Sequence, residues 1–338
     1  MNWDAEILKE KFLQYESRPD SSLSFHEHLS RNNLAEMLNY HYQTDEYATK
    51  EEGRGIVIPR LYIDTMSDLG EAISKICMEI NEYQYVRLNT KLFFLGSKTS
   101  LEEYDKFVEE FLKTFDISFL ELYKRYKREN RIELKDHPYP HGTAQGRCYN
   151  CDDNLGNFVS ALYKGRLKES SVLVHEIAHA HTVEAKDSSN ESLNYCVSTF
   201  CEALSKYQEL LYVDYLYENG KKKDAIYNMG MMLDNFIAQF EANYGMLLSL
   251  NEYNYFASKT IKYVVSFLLA CKLYHLYHQN PEAATNMQRK LEIMIGTCSD
   301  YEIFKTFELE NCKDSIRYTF DRYIRMKCGK KYDVNRKM

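Results

Sequence analysis

Apolar positions recur every three or four residues along most of this chain, which is the period of an amphipathic helix. Residues 2–16, 22–48, 66–92 and 100–131 carry the pattern. Within the last of these, Leu101, Tyr104, Phe107, Val108, Phe111 and Leu112 share one stripe, the face a helix turns to a core. The pattern breaks at residues 132–157, where HPYPHGTAQGRCYNCDDNLGN is crowded with turn formers. FVSALYKG follows and predicts a short strand ending at Gly165. From about Lys168 the helical period resumes, punctuated by Gly220, Asn280-Pro281 and Gly329. The expectation is one mainly α domain with a small irregular or β element between its halves. Residues 1–135 would form an N-terminal helical lobe or lid, and residues 136–338 the part that carries the chemistry.

Composition agrees with a helical reading. Only 5 Pro and 13 Gly occur in 338 residues, so long stretches run without a breaker. Tyrosine is abundant at 29, against one tryptophan, and suits half-wet cores and polar clefts. The net charge of −7 gives no global footprint for nucleic acid. The basic runs YKRYKRENR and RMKCGKKYDVNRKM read as a solvated helix face and a tail. The opening MNWDAEILKEKF is charged and does not read as a signal peptide. The longest apolar run, YVVSFLLAC, is too short to span a bilayer. Nine scattered cysteines predict reduced thiols and a cytoplasmic protein rather than a disulfide framework. Cys148 and Cys151 have zinc-knuckle spacing, but no second pair stands near them.

The chemistry concentrates in SSVLVHEIAHAHTVEA, residues 170–185. His175, Glu176 and His179 spell H-E-x-x-H. On a helix, positions i and i+4 share a face about one turn apart. Two imidazoles placed so can reach one Zn²⁺ at about 2.0–2.1 Å. Glu176 lies beside the first ligand and can contact the metal-bound water, taking its proton as the zinc polarises a carbonyl. The surrounding helix is apolar, and a buried helix rarely carries such residues unless they are paired or bound to metal. His181 lies two positions beyond His179, about 200° round the helix, and is expected to pack or support rather than ligate.

A catalytic zinc usually has three protein ligands and an open position. DSSNE at residues 187–191 predicts a turn, with Ser188 and Glu191 in capping-box spacing. If the next helix folds back antiparallel about residue 188, Glu202 is the acid nearest the level of residues 175–179. Glu191 falls too near the turn and Glu209 too far past it. Ser205 and Glu209 share the face of Glu202 and would support it from behind.

HEIAHAH followed by FCEALSKYQE resembles the thimet oligopeptidase/oligopeptidase F family of zinc metallopeptidases. Glu202, Ser205 and Glu209 match that family's E-x-x-S-x-x-x-E. NFVSALYKGRLKESSVLVHE resembles its strand leading into the zinc helix, and IKYVVSFLLA its tyrosine-bearing segment. Ala178 stands where the family prefers glycine, and Lys259 and Ile261 where it usually has aromatics. The resemblance implies a mainly α, zincin-like (gluzincin) catalytic domain with its small β element just before the HExxH helix. It implies one Zn²⁺ per chain on His175, His179 and Glu202, Glu176 as general base, and Tyr263 or Tyr255 as donor to the developing oxyanion. The substrate would be an oligopeptide, with no nucleic-acid or membrane partner. The strand at 158–163 would offer an edge on which an extended peptide adds.

Three other readings compete. A di-iron bundle needs two E-x-x-H helices, and a second is not found in the sequence. A non-catalytic helical interaction protein with a vestigial zinc site would have no use for Glu176. A metalloprotease with a dedicated protein substrate shares the same site residues.

Overall fold

The computed structural model describes residues 3–44, 46–47, 60–82, 96–136, 145–151, 156–184, 195–248, 255–295 and 297–329. In chain order its elements are α1 (Ala5–Glu16), α2 (Phe25–Tyr42), α3 (Arg60–Glu82), α4 (Leu101–Phe115), α5 (Ile117–Arg128), β1 (Ile132–Lys135), β2 (Gly146–Asn150), β3 (Asn157–Leu162), α6 (Ser170–Glu184), α7 (Tyr195–Glu218), α8 (Lys222–Leu248), α9 (Tyr255–Gln279), α10 (Pro281–Met294), α11 (Asp300–Phe307) and α12 (Lys313–Cys328). The fold is mainly α with one small sheet, as the sequence predicts. Among the described residues no helix is long and apolar enough to cross a membrane. The chain divides into two compact units, each discontinuous in sequence: Met1–Arg54 with Lys98–Glu191, and Gly55–Ser97 with Ser192–Met338.

The first unit is built on the sheet, with strand order β1-β3-β2. β1 runs parallel to β3 and β2 antiparallel to it. This corrects two sequence expectations. The stretch 132–157 is not merely turns, because both β1 and the antiparallel β2 lie in it. The strand at 157–162 is not an edge either, because it is paired on both sides. Such short strands carry little periodic signal, and their pairing is set by partners elsewhere in the chain.

Alternation along β2 assigns its two faces. Tyr149 packs edge-on to Trp3 and Arg147 pairs with Glu36 of α2, so this face meets α1 and α2. Trp3, Leu8, Phe12, Leu34, Leu38, Tyr149 and Phe158 are buried together there. Glu133 of β1 is fully buried nearby, bonded to His41 Nδ1 and Lys135 Nζ, each at 2.9 Å. The opposite face of the sheet meets α6.

The single helix predicted over 100–131 is broken. Asp116 adopts an extended backbone, ends α4, and caps α5 by accepting from the Ser118 N–H at 2.9 Å. An aspartate that can cap a helix competes with continuing one. α5 then packs on α6.

In the second unit α7 packs on α8 and α9, and α9 on α10 and α12. Leu210, Leu211, Val213 and Leu216 of α7 are buried, each worth about 1.5–3 kcal/mol in burial. One ionic network crosses this core. Asp214 accepts from Tyr274 Oη at 2.7 Å and Arg322 Nε at 2.8 Å, and its other contact is His278 Nε2 at 2.8 Å. It ties α7, α9 and α12 together. Removing Asp214 would strand Arg322 beside a buried tyrosine. Asp214→Ala is expected to cost about 2–3 kcal/mol, measured by urea denaturation followed by circular dichroism. A change smaller than about 0.5 kcal/mol would mean that the network contributes no net stability.

Candidate active site

α6 is buried nearly all round: Leu173, Val174, Ile177, Ala178 and Ala180 are buried, and so are Ser170, Ser171, His175, Glu176 and Thr182. A helix of this kind belongs inside a fold rather than on its surface. Its entry is fixed by the turn after β3. Gly165 takes φ +75°, a left-handed conformation that a side chain disfavours. The buried Glu169 carboxylate then accepts from the backbone N–H groups of Lys164 and Arg166. These bonds satisfy donors that the turn would otherwise leave unpaired, and they set the phase of the helix.

That phase places His175 and His179 side by side. Their Nε2 atoms are 3.0 Å apart, with ring planes inclined at 76°. His175 is buried and His179 half-buried. Two ligands of a tetrahedral zinc at about 2.0–2.1 Å would sit about 3.3 Å apart. The donor pair therefore has the spacing and the nitrogen chemistry of two such ligands. Glu176 is buried next to them. It faces β2: a Cβ built on Gly146 would lie 3.0 Å from the Glu176 Oε1. Gly146 escaped the sequence reading because it stood among turn formers, and no local signal set it apart.

His181 is turned to α5, as its helical angle predicts. Its ring stacks on Phe119 with centroids 3.8 Å apart, and Nε2 meets Ser118 Oγ at 3.0 Å. Ser118 Oγ donates to Asp116 at 2.8 Å, so the imidazole is the donor in the Ser118–His181 bond. Burial holds the pKa of His181 below the usual imidazole value, against the pull of Asp116 and Glu184. Glu184 points away from the histidine pair and binds Arg125 and the Tyr126 hydroxyl.

Glu202 stands half-buried on α7, with Ser205 and Glu209 buried three and seven residues on. Lys206 Nζ holds the Glu209 carboxylate at 2.7 Å. The histidine pair belongs to the first unit and Glu202 to the second. Tyr263 lies half-buried on α9, with Lys262 Nζ 4.9 Å from its ring centre. The side chain of Tyr255 lies outside the described residues, as do Ser188 and Glu191 of the expected capping box.

No protein-family model matches the sequence, and no curated protein matches it. Solved structures do match in fold. A protein from Bacillus anthracis str. Ames assigned as an oligoendopeptidase F aligns with a TM-score of 0.61 at 13% identity, over 95% of this chain and 62% of its own. PZ peptidase A, solved with an inhibitor, aligns at 0.59 and 11% identity, over 95% of this chain and 69% of its own. A further structure assigned as an oligoendopeptidase F gives 0.59 and 10%, over 96% and 66%. The chain thus shares the α-rich fold of these peptidases and spans about two thirds of their length.

The two faces of α6 can be separated by substitution. His181→Phe keeps the stack on Phe119 and loses one hydrogen bond, so it is expected to cost about 1 kcal/mol and leave bound divalent metal unchanged. His179→Phe is expected to lose the metal. Elemental analysis of the purified variants checks both, and loss of metal from His181→Phe would place that residue in the ligand set.

Proposed function

We propose that this chain is a zinc-dependent peptidase that hydrolyses peptide bonds of oligopeptides. The observation that carries the reading is the His175–His179 pair, with Nε2 atoms 3.0 Å apart on a buried helix that also holds Glu176. The shared fold with oligoendopeptidase F structures supports it. His175, His179 and Glu202 would hold one zinc, two neutral nitrogens and one carboxylate leaving a fourth position open. When bound, zinc would polarise the scissile carbonyl and make a neighbouring water acidic enough to attack near neutral pH.

The chain's own residues would do the rest. Glu176 is adjacent to His175 and so sits about 100° round the helix from it, beside the ligands rather than among them. Its carboxylate would take the proton of the attacking water and pass it to the leaving amine. Its buried surroundings keep bulk water from competing for that proton. Tyr263 or Tyr255 would donate a hydrogen bond to the oxyanion, a contribution of about 3–4 kcal/mol when well aimed. Glu209, held by Lys206, would keep the α7 face bearing Glu202 in place.

Glu176→Gln is the direct test. It removes the base and leaves every proposed ligand, so kcat on short peptides is expected to fall about 10²–10⁴-fold with one zinc per chain retained. A chelator should abolish wild-type hydrolysis and added zinc restore it. Peptidase activity unchanged in Glu176→Gln would sink the mechanism. Folded proteins assayed beside the peptides decide the substrate class, and faster cleavage of a folded protein would replace the oligopeptide reading.

A further inference from the structure

Gly146 occupies an exceptional place in the first unit. Antiparallel register sets it opposite Ala161, and Cys148 opposite Val159. These pairs form the face of the sheet turned to α6, opposite the face that carries Arg147 and Tyr149. The two smallest residues of the pairing thus lie side by side. A Cβ on Gly146 would meet Val172 Cγ1 at 2.5 Å, and Glu176 Cγ and Oε1 each at 3.0 Å. A 2.5 Å contact is beyond what real methyl groups tolerate, and 3.0 Å forces a neighbour to give way. Gly146 has no left-handed backbone to explain it. The missing side chain is required by what lies above it, not by a turn.

We propose that Gly146 is the positioning residue for the general base: the bare backbone of β2 forms the wall against which the Glu176 carboxylate is set. The inference rests on Glu176 being the base, as proposed above. A side chain at 146 would press on Val172 and Glu176 first, since its three nearest atoms belong to those two residues and not to His175 or His179. It would push the carboxylate off its line of approach to the water. Misplacement by about 1 Å at a reacting group can cost about 100-fold in rate.

The test uses the zinc-loaded full chain. Gly146→Ala is expected to keep one zinc per chain and its KM, while kcat falls about 100-fold. Val172→Ala is the control that separates packing from positioning. In Gly146→Ala/Val172→Ala the 2.5 Å clash is gone and the 3.0 Å contacts with Glu176 remain. Thermal stability should recover in the double variant and kcat should stay low. Recovery of kcat together with stability would overturn the proposal, since the glycine would then serve packing alone. So would a raised KM at unchanged kcat, which would make the strand a substrate contact instead. If Glu176→Gln leaves hydrolysis intact, the base assignment is what fails. If Glu176→Gln is inactive and Gly146→Ala is fully active, the positioning role alone fails.

Discussion

The register of β2 on β3 is the constraint on which the first unit turns. Side chains alternate between the faces of a sheet, so a slip of one residue would exchange them all. In the register formed, Tyr149 enters the aromatic core with Trp3 and Phe158, and Gly146 lies under α6. A slip would drive Arg147 or Tyr149 into the helix that carries His175 and Glu176. The aromatic core on one face therefore specifies the room left on the other. Arg147, on the same face as Tyr149, pairs with Glu36 of α2 at 2.6 Å in this register.

The sheet would be of little use if α6 could rotate above it. Its phase is fixed at both ends. At the start, Glu169 gathers the N–H groups of the Gly165 turn. Near the end, His181 is stacked on Phe119 and Glu184 is bound by Arg125 and Tyr126. The extra histidine of the motif thus anchors the side of the helix away from the His175–His179 pair. A helix pinned so pays the ordering of its side chains during folding rather than during a reaction, which is what a preorganised site requires.

Much of this was legible in the sequence, and the rest was hidden for physical reasons. The H-E-x-x-H spacing, the turning away of His181 and the helical period are local properties, set by residues within a turn or two of each other. The mainly α fold with a small β element before α6 followed from them. β1 and β2 were not legible, because strands of four and five residues are defined by partners elsewhere. The central position of β3 is equally non-local, so the edge expected there lies on other strands. The break at Asp116 was open to a capping argument, but the unbroken apolar stripe outweighed it. Gly146 could not be found at all, since its role depends on an absent atom.

Buried acids show how one composition serves different ends. Glu133 is matched by His41, Lys135 and the Trp3 N–H, Glu169 by backbone donors, and Asp214 by Tyr274, His278 and Arg322. Each is surrounded by donors, which satisfy its oxygens and hold the carboxylate still. The wall beside Glu176 is different in kind. Val172 and the bare backbone at Gly146 shape the space in which it lies. A side chain at position 146 would take that space from the carboxylate, which makes a glycine as consequential as any side chain around it.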